Sequence, residues 1–191
     1  MTETTQVYYS IYVSPVGELL LTASNGMLTG LNMALQGGKP APSPKPEWRR
    51  DDAALRFARD QLDAYFEGNL HTFDVPLSMA GTPFQKQVWQ GLREIPYGTT
   101  ISYAELARRV GRAGASRAVG SANGRNPIGI VVPCHRVIAA DGTLGGYGGG
   151  LDRKEWLISH EAAVLDGLGR RDAPHGKLHP QTGVHKLKRF A

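Results

Sequence analysis

Apolar and polar positions over the first third of the chain follow the pattern of β-strands joined by tight turns. Residues 7–13 and 18–24 are rich in β-branched, aromatic and leucine side chains, and a Ser-Pro-Val-Gly segment at 14–17 separates them. The pair Asn25-Gly26, a strong signal for a hairpin turn, precedes a third apolar segment at 27–33. The pattern therefore predicts three consecutive strands.

The spacing of apolar residues then changes from that of a strand to that of a helix. Residues 36–46 are rich in Gly, Pro and Lys and predict a flexible connector. A helix is predicted over 52–67, with Gly68 as its C-terminal stop. Its apolar face comprises Leu55, Ala58, Leu62, Tyr65 and Phe66. This face can pack on the strands to give a small α+β unit, in which we identify no chemistry.

Helical spacing dominates the second half of the chain. Thr82, Pro83 and Gln85 form a capping box with proline at the first helical position, and Phe84, Val88 and Leu92 follow as a buried stripe. Trp89 is interpreted as a core residue. A second capping box at 102–105 opens a helix that ends at Gly111. A last helix is predicted over 151–163, with Trp156 and Leu157 in the core.

A short helix at 117–123 follows a Gly-containing turn, so this region resembles a helix-turn-helix. That signal is weak, because many helical hairpins bind no DNA. The helix carries one long basic side chain, Arg117, among small residues, whereas helices that read the major groove present several long side chains. Two interpretations remain: a helix that approaches a nucleic-acid backbone closely, or a tightly packed helix with a surface arginine.

Charge separates the two halves of the chain. Residues 1–79 contain six Lys or Arg and nine Asp or Glu, a net charge of −3. Residues 80–191 contain sixteen and eight, a net charge of +8. The second half is therefore the better partner for a polyanion, although a basic surface that only maintains solubility explains the same numbers.

Composition excludes several classes of protein. A chain of 191 residues with 41% hydrophobic and 20% charged residues is long enough to bury a core and is not of the disordered type. No apolar run is long enough to span a membrane, and the polar N-terminus lacks the pattern of a signal peptide, so the expected location is the cytoplasm. The single cysteine excludes an internal disulfide and zinc sites that need two thiolates. We expect no metal site, at His71 or elsewhere, and no cofactor.

The candidate chemistry lies at 130–138, where an apolar segment predicted as a strand delivers Cys134 beside His135 and Arg136. A thiolate is a strong nucleophile, and a neighbouring base or cation lowers the pKa of the thiol. Because adjacent residues of a strand point to opposite faces, direct contact between Cys134 and His135 needs a bend or a bridging water. An inert buried cysteine and a thiol hydrolase remain open, whereas a zinc deaminase lacks its ligands here.

The segment Pro133-Cys134-His135-Arg136-Val137 resembles the active-site motif of the O6-alkylguanine-DNA alkyltransferases, also called methylated-DNA–protein-cysteine methyltransferases. The resemblance continues, in order and at the family's spacing, through segments 98–103, 116–120, 123–127, 145–151 and 154–157, and it covers about residues 81–163. It implies repair of O6-alkylguanine in double-stranded DNA bound through the minor groove, and it leaves open whether O4-alkylthymine is also a substrate.

The resemblance implies a role for each matching residue. Cys134 would accept the alkyl group irreversibly, once per chain, after His135 removes its proton through a water and Glu161 orients the histidine. From its position on a helix alone, Glu161 would be a solvated acid. Tyr103 would donate a hydrogen bond to guanine N3. DNA would be bound by Ser116, Arg117, Ala118, Asn123 and Arg125, with Arg117 filling the space of the flipped nucleotide. The substrate pocket would be lined or braced by Asn126, Val137, Tyr147 and Gly148.

The predicted organisation is α+β. A small strand-and-helix domain (residues 1–79) precedes a mainly helical domain with a helix-turn-helix and the cysteine on a short strand (residues 80–163). A basic tail follows at 164–191. The family's zinc site is not expected, and Gly129, where bulkier residues also occur in the family, is expected to widen the pocket. We expect a monomer. The alternative function is a sensor or regulator that binds alkylated DNA without repairing it, although relatives of that kind replace the cysteine.

Overall fold

The N-terminal domain is built on a four-stranded sheet. The computed structural model describes residues 5–33 and 43–167. The sheet has the order β3-β2-β1-β4, with antiparallel pairing except between β1 and β4. Its strands are β1 (Tyr8–Ser14), β2 (Gly17–Ser24), β3 (Met27–Met33) and β4 (Arg49–Arg50). The three predicted strands are confirmed to within one residue at each end. The Asn25-Gly26 turn between β2 and β3 adopts the left-handed backbone that a tight hairpin requires.

Helix α1 (Arg56–Phe66) packs its predicted apolar face into the core, where Leu55, Ala58, Leu62 and Tyr65 are buried. It begins four residues later than expected. The Asp51 side chain accepts a hydrogen bond from the Ala54 amide at 3.0 Å and holds residues 52–55 as turns. Most of the predicted connector, and the predicted tail from 168 onward, lie outside the described residues.

The C-terminal domain contains four helices, and the indole nitrogen of the buried Trp89 donates to the Ala122 carbonyl at 2.9 Å. Thr82 and Gln85 form the predicted capping box, and Ser102 caps the next helix. The helices are α2 (Pro83–Arg93), α3 (Tyr103–Arg109), α4 (Ser116–Asn123) and α5 (Leu151–Leu165). Helices α3 and α4 are the two arms of the predicted helix-turn-helix. The fold class is therefore confirmed.

The segment before Cys134 differs from the predicted apolar strand. Residues 129–132 form turns, and Cys134–Arg136 forms one turn of 3-10 helix that leads directly into a two-residue strand, β6 (Val137–Ile138). Strand β6 pairs in parallel with β5 (Ile101–Ser102). A continuous strand is prevented by Ile130, whose φ is +68°, and by Pro133, which has no N–H to donate.

The two domains are joined by main-chain hydrogen bonds next to this segment. In β3, the Leu31 amide donates to the Pro127 carbonyl at 2.9 Å, and the Leu31 carbonyl accepts from the Gly129 amide at 3.1 Å. The buried apolar side chains of both domains form one continuous core. The edge strand of the N-terminal sheet therefore fixes the loop that leads to the cysteine.

Candidate functional site

Cys134 lies at a cavity of about 590 Å³ between the two domains. Helices α3 and α4 contribute Tyr103 and Asn123 to its wall, and the glycine-rich loop before α5 contributes Tyr147 and Gly148. The wall on the side of the N-terminal domain is formed by Leu31, Asn32 and Met33 of β3. The N-terminal domain, in which the sequence identifies no chemistry, therefore forms part of the cavity wall.

The thiol of Cys134 is buried, with 8% of the residue exposed. Burial raises the pKa of Cys134, because a thiolate loses its hydration there, while hydrogen bonding to Asn126, the positive charge of Lys154 and hydrogen bonding to Tyr147 act in the opposite direction. The thiol therefore rests in its protonated form and needs a base before it can attack carbon.

His135 follows Cys134 in the same 3-10 turn, but it does not line the cavity. Its Nε2 lies 2.9 Å from Glu161 Oε1, and the residue is fully buried. Burial lowers the pKa of His135, and this effect outweighs the opposing influence of the Glu161 carboxylate. A neutral His135 that donates from Nε2 keeps Nδ1 as a lone-pair base, and Nδ1 has no hydrogen-bond partner among the described residues.

Glu161 is 1% exposed, so it is not the solvated acid that its place on a helix alone suggests. Arg136 donates to both of its oxygens, from Nε at 2.9 Å and from Nη2 at 2.9 Å. The Tyr65 hydroxyl donates at 2.9 Å, and the Gly98 amide donates at 2.9 Å. Burial would raise the pKa of Glu161, but hydrogen bonds from His135 and Arg136 and the positive charge of Arg136 hold it well below its usual value. The carboxylate is therefore ionised and rigidly held.

The sequence did not predict the observed roles of three residues in or beside this network, Arg136, Lys154 and Tyr65. Arg136 was expected to add positive potential near the thiol; instead it pairs with Glu161, and its Nη1 donates to the Ile95 carbonyl at 2.7 Å. Lys154 is fully buried, and burial lowers its pKa to about 8. Tyr65 was predicted only as a core residue. Arg136 and Lys154 both lie in motif segments, but their burial is recognisable only from the contacts that compensate their charge.

The loop between α4 and Cys134 is braced by Asn126. Its Nδ2 donates to the Val132 carbonyl at 2.7 Å, and its Oδ1 accepts from the Ile128 amide at 3.0 Å. On the other side of the cysteine, the carbonyl of the buried Val137 accepts from Lys154 Nζ at 2.6 Å. Main-chain geometry on both sides of the nucleophile is thus fixed by side-chain hydrogen bonds.

The helix-turn-helix presents an exposed face beside the cavity mouth. Arg117 and Ala118 at the start of α4 are exposed, and Ser116 is half-buried. Arg125, just beyond α4, is exposed and its guanidinium contacts the Ser121 side chain. Asn123 points inward, with Nδ2 at 3.5 Å from the Cys134 carbonyl. Four of the five predicted DNA-binding residues therefore reach the surface, and Asn123 lines the cavity instead.

Two further features of the described residues concern metal ligands and membrane-spanning helices. Across residues 5–33 and 43–167, no group of three or more His, Cys, Asp or Glu side chains could hold a metal ion. His71 stacks on Tyr97, with ring centroids 4.4 Å apart. None of the helices in this part of the chain has the length and apolar character needed to cross a membrane.

Comparison with known families assigns both domains. Residues 83–163 match the DNA-binding domain of 6-O-methylguanine DNA methyltransferase, and residues 7–79 match the ribonuclease-like domain of the same protein. The chain belongs to the 6-O-methylguanine DNA methyltransferase family.

Individual relatives agree with the family assignment. The chain is 50% identical over 155 residues to a methylated-DNA–protein-cysteine methyltransferase of Mycobacterium tuberculosis, covering 81% of this chain and 92% of the relative. It is 49% identical over 157 residues to the same enzyme of Methanosarcina acetivorans, covering 82% and 99%. A crystal structure of the M. tuberculosis protein in complex with DNA superposes with a TM-score of 0.75 at 48% identity, covering 82% of this chain and 94% of that one.

Proposed function

We propose that this protein repairs DNA by transferring the alkyl group of O6-alkylguanine to Cys134. The observation that carries the proposal is the placement of the chain's only cysteine at a cavity, backed by a buried His135–Glu161 pair. Membership of the family and the DNA complex of a relative support DNA as the partner.

The buried network suits proton removal from the thiol. The Sγ proton passes through a water to Nδ1 of His135, while Nε2 stays hydrogen-bonded to Glu161. The thiolate attacks the alkyl carbon, so an S–C bond forms as the C–O6 bond breaks and its electron pair moves to the purine. Tyr103, which lines the cavity, donates to guanine N3 and stabilises the charge that develops on the leaving base. Asn126, Tyr147, Gly148 and Val137 position and border the site.

The DNA partner is held at the exposed face of α3 and α4. Small residues of α4 let the helix lie against the backbone in the minor groove, and Arg117 enters the stack where the damaged nucleotide has left it. Ser116, Ala118 and Arg125 complete the contact surface, and Asn123 acts from inside the cavity. The basic character of residues 80–191 supports this arrangement through attraction to phosphates. The protein acts as a monomer.

The product is a thioether, which water does not hydrolyse under cellular conditions, so each chain reacts once. We divide the chain into an N-terminal domain at 1–79, the alkyltransferase domain at 80–163 and a tail at 164–191. The ranges matched by the two family domains support the first two divisions. A nucleophilic thiol has to stay reduced, which supports a cytoplasmic location.

The direct test is the intact mass of the protein after incubation with duplex DNA that contains O6-methylguanine. We expect the gain of one methyl group per chain, located on the peptide with Cys134. A Cys134→Ser variant is expected to bind the same duplex and to leave it methylated. Full binding of the lesion without modification of the wild-type thiol would instead support the sensor alternative.

A further inference from the structure

We propose that Met33, at the end of β3 in the N-terminal domain, limits the size of the alkyl group that the site accepts. This inference rests on the proposed function, because it concerns the group that moves to Cys134. Met33 lines the same cavity as Cys134, is only 7% exposed, and comes from a domain that carries none of the motifs.

The contacts of Tyr147 place Met33 close to the nucleophile. The Tyr147 hydroxyl donates to Met33 Sδ at 3.8 Å and is also a hydrogen-bonding partner of Cys134. Tyr147 therefore links the two sulfur-bearing residues on the wall of the cavity. In the displacement the reacting carbon lies against the Cys134 sulfur, so a substituent larger than methyl extends into the adjoining space.

The part of the cavity around Met33 is bordered by two glycines, which have no side chains to fill it. A Cβ built on Gly149 would lie 2.6 Å from Met33 Sδ, so any side chain there would collide with the methionine. A Cβ on Gly129 would lie 3.9 Å from Met33 Cε, in ordinary contact. Met33 therefore fills the volume between two residues that have no side chain, and it replaces the Gly129 position as the determinant of pocket width.

The physical character of methionine suits such a wall. Its unbranched thioether adapts to irregular spaces, so the wild-type site accommodates methyl closely and yields partly to larger groups. Shortening the side chain to alanine removes the wall, and a phenylalanine makes it rigid. Leucine preserves the volume and should preserve the selectivity.

The experiment is a competition between two lesions for a limiting amount of protein. Matched duplexes carrying O6-methylguanine and O6-benzylguanine are mixed in equal amounts, and the masses of the two adducts are quantified in one spectrum. We expect Met33→Ala to raise the benzyl-to-methyl ratio by about tenfold, Met33→Phe to lower it, and Met33→Leu to leave it within about twofold of wild type. Met27→Ala, at the opposite end of the same strand and outside the cavity, is the matched control and should leave the ratio unchanged.

A ratio is insensitive to the fraction of each variant that folds, because both adducts report the same active molecules. Unchanged ratios in Met33→Ala and Met33→Phe would overturn the assignment of Met33 while the proposed function stands. A wild-type protein that acquires neither group on Cys134 would overturn the proposed function itself.

Discussion

The N-terminal sheet and the C-terminal helices contribute to one site in different ways. The C-terminal domain supplies the thiol, the histidine and the carboxylate of the site. The N-terminal domain supplies three supporting contacts. The Tyr65 hydroxyl donates a hydrogen bond to Glu161, and Met33 forms part of the cavity wall. Leu31 pairs through its main chain with the loop that leads to the cysteine.

The difference shows that a site can depend on residues without reactive chemistry of their own. Residues that exchange protons or form bonds are constrained in type and spacing, so a motif marks them. A residue that only lines the cavity or holds a neighbour needs a suitable shape or one hydrogen bond, and many residue types can provide these. The comparison predicts large effects from changes in the first group and smaller, more selective effects from changes in the second.

The largest effect is expected for Glu161→Gln. A glutamine amide can donate to Nε2 of His135, which would move the ring proton to Nδ1 and remove the lone pair that accepts the thiol proton. We expect the single-turnover rate of alkyl transfer to fall by about 10³–10⁴, as for loss of the correct histidine tautomer in a catalytic triad. A fall of less than about tenfold would show that Glu161 does not select the tautomer.

The second effect concerns stability. Arg136→Met leaves the buried Glu161 carboxylate without its bidentate partner, so the free energy of unfolding should fall by about 3–5 kcal/mol. Arg108→Ala is the control, because it removes an exposed, solvent-screened ion pair with Glu105 and should cost far less than Arg136→Met. Both values are measured by denaturant titration. Equal losses in the two variants would mean that burial does not distinguish these pairs.

The third effect separates DNA binding from alkyl transfer. Arg117→Ala removes the side chain assigned to the gap left by the flipped base, so repair of a duplex should slow by about tenfold or more, given an unstacking cost of a few kcal/mol. Reaction with free O6-benzylguanine, which needs no flipping, should stay within about twofold of wild type. Equal losses on both substrates would remove this role from Arg117.

The smallest effect is expected in the N-terminal domain, for Tyr65→Phe. With one donor fewer, the charge on Glu161 is less dispersed and stabilises protonated His135 more, so the pKa of His135 rises. In wild type the rate should fall only below the ordinary histidine pKa of about 6.5, because burial lowers the pKa of His135. In the variant this acid limb should move to higher pH, while the rate at pH 8 changes by less than about threefold.

The acid limb is measured by single-turnover reactions across the pH range, with Tyr65→Phe compared to Tyr12→Phe. Tyr12 is a buried tyrosine of the same domain that donates to Asp63 at 2.6 Å, away from Glu161. Both variants lose a buried hydroxyl, so a general loss of stability would affect them alike. The same profile in both would show that Tyr65 acts only in packing.

Much of the fold follows from local sequence, because each confirmed element has its own signal. The Asn25-Gly26 turn, the capping box at Thr82 and the apolar stripe of α2 depend on neighbours within a few residues. The segment before Cys134 does not. Its apolar run favours a strand. Pro133 is a local signal against one, but the left-handed backbone of Ile130 and the long-range pairing with Leu31, which also hold the segment as turns, emerge only in the structure.

The site divides in the same way. Cys134 and His135 are adjacent in sequence, so residue chemistry alone suggests them. Glu161 lies 26 residues beyond His135, on a helix where a solvated acid is the ordinary expectation, and only the resemblance to a family pointed to it. Tyr65 lies 96 residues from Glu161, in another domain. No local pattern encodes a contact at that separation, so its contribution emerges only from the assembled structure.

The left-handed backbone of Ile130 has a consequence for how far the chain can be dissected. A β-branched residue at φ +68° costs about 1–3 kcal/mol, and it persists only where its surroundings enforce it. Part of that enforcement is the pairing of Leu31 with the residues on either side of Ile128. Separating the two domains would remove this pairing, so Ile130 would be free to leave the strained conformation and the Cys134 sulfur would lose its fixed position. We therefore expect the C-terminal domain, expressed without the N-terminal domain, to hold its nucleophile less precisely.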